Sequence, residues 1–172
     1  MIVTQESTFN EAAIELFDTQ LKNWELAEKN YRSFGANRQK TIQLGNSRVI
    51  LQHNPARIVS AASKIKPDEA PKRPCFLCPQ QLPPQQQKVQ LNDLFCLLVN
   101  PYPIFYPHFT IAATQHISQQ IFPYLPDMLY FSKKLNNFTV FFNGAGAGAS
   151  APDHLHFQAC KKNSMPVETE WD

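Results

Sequence analysis

Apolar residues recur every three or four positions through residues 8 to 33, at Phe9, Ala12, Ala13, Leu16, Phe17, Leu21, Trp24 and Ala27. That spacing puts them on one stripe of an α-helix. It predicts a single amphipathic helix with Ser7 or Thr8 as its N-cap, and Trp24 and Tyr31 are expected to pack on a sheet. Beyond residue 40 the period shortens. "KTIQLGNSRVILQHNPARIVSAAS" reads as two or three short strands, turned at Gly45-Asn46-Ser47 and broken at Asn54-Pro55. Two apolar runs, "FCLLVN" (95–100) and "HFTIAAT" (108–114), predict strands on either side of the proline-rich "PYPIFYP". Residues 123–135 predict a short helix with Pro126 in its first turn, where a missing N–H costs nothing. "NFTVFFN" (137–143) and "HLHFQAC" (154–160) predict two more strands. The remaining stretch, 64–88, is a Pro- and Gln-rich excursion around a cysteine pair. Five or six strands with two helices predict an α+β domain on a mostly antiparallel sheet.

Composition narrows the function classes. The chain has 172 residues, 43% of them apolar and 17% charged, which suits one globular domain, or one domain and an extension. A formal charge of +2 without a block of Lys and Arg argues against a nucleic-acid partner, which needs a basic stripe to neutralise phosphates. No apolar run approaches the ~20 residues that span a bilayer, and the first residues do not read as a signal peptide. The expected location is therefore the cytoplasm, with no membrane partner. The four cysteines are Cys75, Cys78, Cys96 and Cys160. A Cys-x-x-Cys pair in such a chain points to metal or redox chemistry rather than a disulfide framework. Taken alone, "RPCFLCP" fits a zinc knuckle, a redox pair or two packed thiols. Cys96 and Cys160, in apolar strands, read as core.

The densest chemistry lies in "NGAGAGASAPDHLHFQ" (143–158), which holds three of the five glycines and two of the five histidines. On an extended strand successive side chains alternate faces. His154, His156 and Gln158 then share one face, with Leu155, Phe157 and Ala159 on the other. The polar set would line a pocket floor or face solvent. Gly144, Gly146 and Gly148 favour the pocket, because glycines let backbone N–H groups turn toward an anion.

His154-Leu-His156-Phe-Gln158 resembles the His-x-His-x-Gln signature of the histidine-triad (HIT) superfamily. The glutamine is similar to the branch containing galactose-1-phosphate uridylyltransferase, diadenosine tetraphosphate phosphorylase and the GDP-hexose phosphorylases. "VNPYPIFYPHFTIAATQHIS" (99–118) resembles that superfamily's strand pair, including the eight-residue interval between His108 and His116. The resemblance covers roughly 45–172. It implies a HIT-like fold: a mostly antiparallel sheet with a long N-terminal helix and a short crossing helix. Residues 1–40 would be a helical extension. Residues 41–172 would be the nucleotide-binding domain, truncated at its C-terminus relative to the transferases.

The same resemblance implies roles. His156 would attack the α-phosphorus of a nucleotide as neutral imidazole, forming a covalent nucleotidyl-histidine. Gln158 would offer its amide to the developing charge. Asn100 would meet the ribose, and Asn143, Gly146, Gly148 and Ser150 would surround the phosphates, although Ala151 stands where the uridylyltransferases use Ser. Arg57, or less favourably Lys64, would grip a phosphate; an ordinary surface arginine is the competing reading of Arg57. Cys75, Cys78, His116 and His154 would close a structural zinc site, with His108 the main rival for a ligand slot. The implied reaction is transfer or phosphorolysis of a nucleotide or nucleotide-sugar, with phosphate or a sugar phosphate as acceptor. A HIT-type hydrolase is one alternative, and a zinc-stabilised nucleotide-binding module without turnover another. HIT domains often pair through sheets or helices, so a homodimer is compatible.

Overall fold

Thr8 opens the first helix by a reciprocal cap. Its Oγ1 accepts from the Glu11 N–H (3.2 Å) while the Glu11 carboxylate accepts from the Thr8 N–H (2.7 Å). Thr8→Ala removes half of this box and is expected to cost about 1 kcal/mol, read as a shifted midpoint in chemical denaturation. The structure is a computed structural model that describes residues 8–35, 37–54 and 74–170. Where one helix was expected there are two, α1 (Phe9–Asn23) and α2 (Glu25–Phe34), parted at Trp24. Trp24 adopts extended backbone (φ −130°, ψ 98°) and is buried. In an unbroken helix Phe17 and Tyr31 would stand about 21 Å apart, whereas their rings meet edge to face at 4.9 Å. The break folds α2 back, so that Ala27 and Tyr31 join the same core as Ala12, Ala13, Leu16 and Phe17.

Strands β1 (Arg38–Leu44) and β2 (Ser47–His53) form a separate antiparallel hairpin, with Gly45 at φ +58° in its tight turn. The hairpin is pinned at one end by Arg48, whose Nε donates to the Glu170 carboxylate at 2.7 Å. The main sheet runs β3 (Lys88–Gln90), β4 (Phe95–Val99), β5 (His108–Ala113), β7 (His156–Lys161) and β6 (Phe138–Phe141), in that spatial order and antiparallel throughout. Strand β3 arises at the end of the stretch expected to be an irregular excursion. Helix α3 (Leu125–Lys134) crosses between β5 and β6, with Pro126 in its first turn, and α4 (Val167–Glu170) follows β7.

The two faces of the sheet have different jobs. Phe95, Leu97, Phe109, Ile111, Phe138, Phe157 and Ala159 face the helices and form the main core. Phe157 stacks on Phe95 at 5.4 Å and meets Phe131 of α3. The residues in between, including Cys96, Leu98 and Ala112, turn to the opposite face and pack under Cys75, Leu77 and Ala151. No helix of the described residues is long and apolar enough to cross a membrane.

Candidate functional site

Period-two alternation in β5 and β7 delivers polar side chains to the face away from the helices. Thr110 pairs with Gln158 and Ala112 with His156 across the two strands. His156 is 4% exposed and Gln158 8%, so the exposed-face alternative does not hold. A cavity opens there, lined by Asn100, Thr110, Asn143, Gly148, Ser150, His156 and Gln158, with Phe76, Leu77, Ile104 and Ala151 as its apolar wall. The His156 ring is held by one bond: Nδ1–H donates to the His154 carbonyl at 2.8 Å. A backbone carbonyl can only accept, so Nδ1 carries the hydrogen and Nε2 keeps its lone pair. Burial lowers the imidazole below its usual pKa, against the opposing pull of the His154 carbonyl. The ring is neutral at neutral pH.

Gln158 is oriented by a chain of donors. The Ile104 N–H donates to His108 Nδ1 at 3.4 Å, so Nε2 of His108 carries the hydrogen and donates to Gln158 Oε1 at 2.8 Å. With its oxygen engaged, the Gln158 amide presents its NH2 group as a donor. His108 is in turn fixed through its backbone. The Tyr31 hydroxyl donates to the His108 carbonyl at 2.9 Å and accepts from the His108 N–H at 3.2 Å. Burial pushes the Tyr31 phenol well above its ordinary value. Helix α2 thus reaches the site without lining the cavity.

The second cluster is Cys75, Cys78, His116 and His154, whose ligand atoms all lie within 4.8 Å of one another. Cys75 Sγ is 3.2 Å from His154 Nδ1, and Cys78 Sγ is 3.3 Å from His116 Nδ1 and 3.7 Å from His154 Nδ1. A tetrahedral ion with bonds of about 2.3 Å to sulfur and 2.0 Å to nitrogen needs S···N edges of about 3.5 Å. The donors are thus spaced to hold a metal ion. The tautomers fit as well. His154 Nε2–H donates to the Ala113 carbonyl at 2.8 Å, which leaves Nδ1 as the ligating atom. His116 turns Nε2 toward Asp153 at 3.8 Å. Burial raises the Cys75 thiol, but the His154 ring and the Leu77 and Cys78 N–H groups outweigh it and bring it to about 6. A thiolate, the ligating form, is therefore available at neutral pH.

Six of the residues singled out above meet at the cavity: Asn100, Asn143, Gly148, Ser150, His156 and Gln158. Gly146 stands on the same loop outside the lining. Gly148 has φ +89°, a left-handed backbone that suits glycine, whereas Gly146 does not. Arg57 and Lys64 lie outside the described residues. His108, the rival metal ligand, faces Gln158 instead. His154 is not on the strand as expected. It sits in the turn just before β7, fully buried, and this places its ring over the cysteine loop. Cys96 and Cys160 are buried, as apolar strands predicted, and burial pushes Cys160 up to about 12. Thr110 went unnoticed in the sequence, although it shares the parity of His108. Gln119, also missed, carries no local signal.

Residues 16–161 match the family model described as Domain of unknown function (DUF4922). The chain belongs to this family. The DUF4922 chain is also similar to solved structures. It matches yeast Ap4A phosphorylase in complex with Ap4A at 16% identity and TM-score 0.50, over 92% of this chain and 53% of that one. Against the same enzyme in complex with AMP the values are 15% and 0.46, over 81% and 50%. A histidine triad protein from Clostridium difficile matches at 16% and 0.38, over 54% of this chain and 90% of that one. The chain thus spans about half the length of the yeast phosphorylase. No curated protein matches it. The architecture shared with the yeast enzyme is the HIT-like α+β fold that the His-x-His-x-Gln resemblance implied.

Proposed function

We propose that this chain carries a nucleotidyltransferase or nucleotide phosphorylase site of the HIT type, working through a covalent nucleotidyl-His156. The observation that carries the reading is the His156 ring: Nδ1 is tied to the His154 carbonyl, and Nε2 is left for a cavity that Gln158, Asn143 and Gly148 also line. The Nε2 lone pair attacks the α-phosphorus, and the bond from phosphorus to the leaving oxygen breaks. A phosphate or sugar-phosphate oxygen then attacks the adduct, returning the imidazole and releasing the new phosphoanhydride. The Gln158 NH2 group donates to a phosphoryl oxygen as charge builds on it. Asn100 would meet the ribose, and Asn143, Gly146, Gly148 and Ser150 would surround the phosphates, with Arg57 as an added clamp.

The branch we favour is that of the Gln-bearing transferases, and the yeast enzyme that shares the fold is an Ap4A phosphorylase with Ap4A bound. A dinucleoside polyphosphate or a nucleotide-sugar is therefore the substrate class. Residues 41–172 would form the nucleotide-binding domain, with the helices of 1–40 buttressing His108 through Tyr31. Two thiolates and two imidazoles suit zinc, and the metal would be structural because protein fills all four positions. Bound there, it would tie the Cys75–Cys78 loop to His154, the residue whose carbonyl orients the nucleophile.

The test is to incubate the metal-loaded chain with dinucleoside polyphosphates, nucleoside diphosphate sugars and nucleoside diphosphates of the common bases, each radiolabelled at the α-phosphorus. An acid-labile label on the protein is expected, with one leaving group (nucleotide, sugar phosphate or phosphate) released per label. If no base labels the chain, the reading fails. Products formed with and without added phosphate separate phosphorolysis from hydrolysis. His108→Phe keeps the ring volume but frees the Gln158 amide to turn. It is expected to slow adduct formation about 10- to 100-fold with little change in nucleotide affinity. An unchanged single-turnover rate would remove His108 from the scheme.

A further inference from the structure

The nucleophile's backbone has a gap beside it. Ala113 N–H donates to the Leu155 carbonyl, so in the antiparallel pattern the next pair, Ala112 and His156, is not hydrogen-bonded. The His156 N–H and C=O therefore point away from β5, toward the side that β6 occupies. But β6 ends at Phe141, opposite Gln158. Continued in register, the chain would place Asn143 opposite His156, and it has already turned away into the glycine loop. At this position two backbone polar groups of a residue only 4% exposed would lack strand partners.

The side chain of Gln119 fills the gap. It comes from the loop after His116 and is itself 6% exposed. The His156 N–H donates to Gln119 Oε1 at 2.8 Å, and Gln119 Nε2 donates to the His156 carbonyl at 3.1 Å. The same Nε2 donates to the Asn143 carbonyl at 2.8 Å. One primary amide thus replaces a missing strand residue and bonds both the nucleophile's backbone and the residue that opens the phosphate-side loop. All three bonds are internal to the protein, so Gln119 spends no donor on a ligand.

We infer that Gln119 is a positioning residue for the reaction proposed above: it sets the distance between the His156 ring and the loop that begins at Asn143. The inference rests on His156 being the nucleophile. In-line attack is sensitive to placement, and a shift of about 1 Å at a reacting atom can cost about 100-fold in rate. Binding of the nucleotide through many contacts is far less sensitive.

The experiment compares wild type, Gln119→Met and Gln119→Glu, each metal-loaded. Single-turnover labelling by α-labelled nucleoside diphosphates gives the rate, and calorimetry with the same nucleotides gives the affinity. Metal content and melting temperature are recorded on each sample. Gln119→Met keeps the length of the side chain and loses all three bonds; labelling is expected to slow about 100-fold, with nucleotide affinity and one metal per chain retained. Labelling at the wild-type rate by a folded Gln119→Met chain overturns the inference and leaves the proposed function standing. A parallel loss of affinity and rate also overturns it, because that marks a purely structural role. Should Gln119→Met fail to fold, Gln119→Glu decides. It keeps the acceptor for the His156 N–H and loses the donor that joins Asn143 to the strand. Labelling at least tenfold slower at intact affinity supports the inference, and an unchanged rate refutes it. A wild-type chain that no nucleotide labels overturns the proposed function first, and the inference with it.

Discussion

On the proposed mechanism, His156→Ala is expected to abolish the nucleotidyl adduct and to lower turnover by about 10⁴-fold or more, the scale of removing a covalent nucleophile. The reason is local. Among the described cavity residues only His156 offers an uncharged nitrogen with a free lone pair; Gln158, Asn100 and Asn143 are amides, and the hydroxyls of Thr110 and Ser150 are not nucleophilic without a base. The substitution should spare the fold, because it removes one side-chain hydrogen bond and leaves Phe157 and Leu155 in the core. Intact-protein mass spectrometry after exposure to a nucleoside diphosphate checks it directly. Wild type gains the mass of a nucleoside monophosphate less one water, as the N–P bond requires, and the variant does not. A variant that still gains that mass places the nucleophile elsewhere.

The second large effect concerns the Cys75, Cys78, His116 and His154 cluster. Stripping the chain with a chelator, or making Cys75→Ser, is expected to remove one metal ion per chain and lower the melting temperature by roughly 10–20 °C. That range follows from a structural site supplying several kcal/mol at about 2–4 °C per kcal/mol for a domain of this size. The loss should reach His156, the proposed nucleophile, too. His154 contributes Nδ1 to the cluster and its backbone carbonyl to His156. Releasing the ring removes a restraint on the residue that fixes the His156 tautomer. Cys96→Ser and Cys160→Ser serve as controls, since both thiols lie outside the cluster, and they should keep the metal. Elemental analysis and melting curves on the same samples give the result. An as-purified chain without metal, melting identically before and after chelation, would dispose of the cluster as a structural site.

Much of the fold was legible because local rules and burial agreed. Thr8, one of the two N-caps expected, caps the first helix. The alternation from Leu155 to Ala159 puts one set in the core and the other in the cavity, because a strand has no third direction to offer. The break at Trp24 was not legible. The apolar stripe runs through it without a proline or glycine, and only the packed core, which Ala27 and Tyr31 join through the break, shows where the chain folds back. Strand β3 was hidden for a similar reason: Val89 is its one fully buried side chain, and pairing with β4 rather than periodicity makes it a strand.

For the site, the family resemblance carried by His-x-His-x-Gln and the Cys-x-x-Cys pair nominated His156, Gln158 and the cysteine–histidine set, since each role needs particular donor atoms that few side chains carry. What tertiary structure alone decided is how those atoms are aimed. The bond from His108 that rotates the Gln158 amide, the hold of Tyr31 on β5 and the bond of Gln119 to the His156 backbone join residues 37 to 77 positions apart. Hydrogen bonds at such separations leave no period in the sequence, because the chain brings their partners together only after its core has packed.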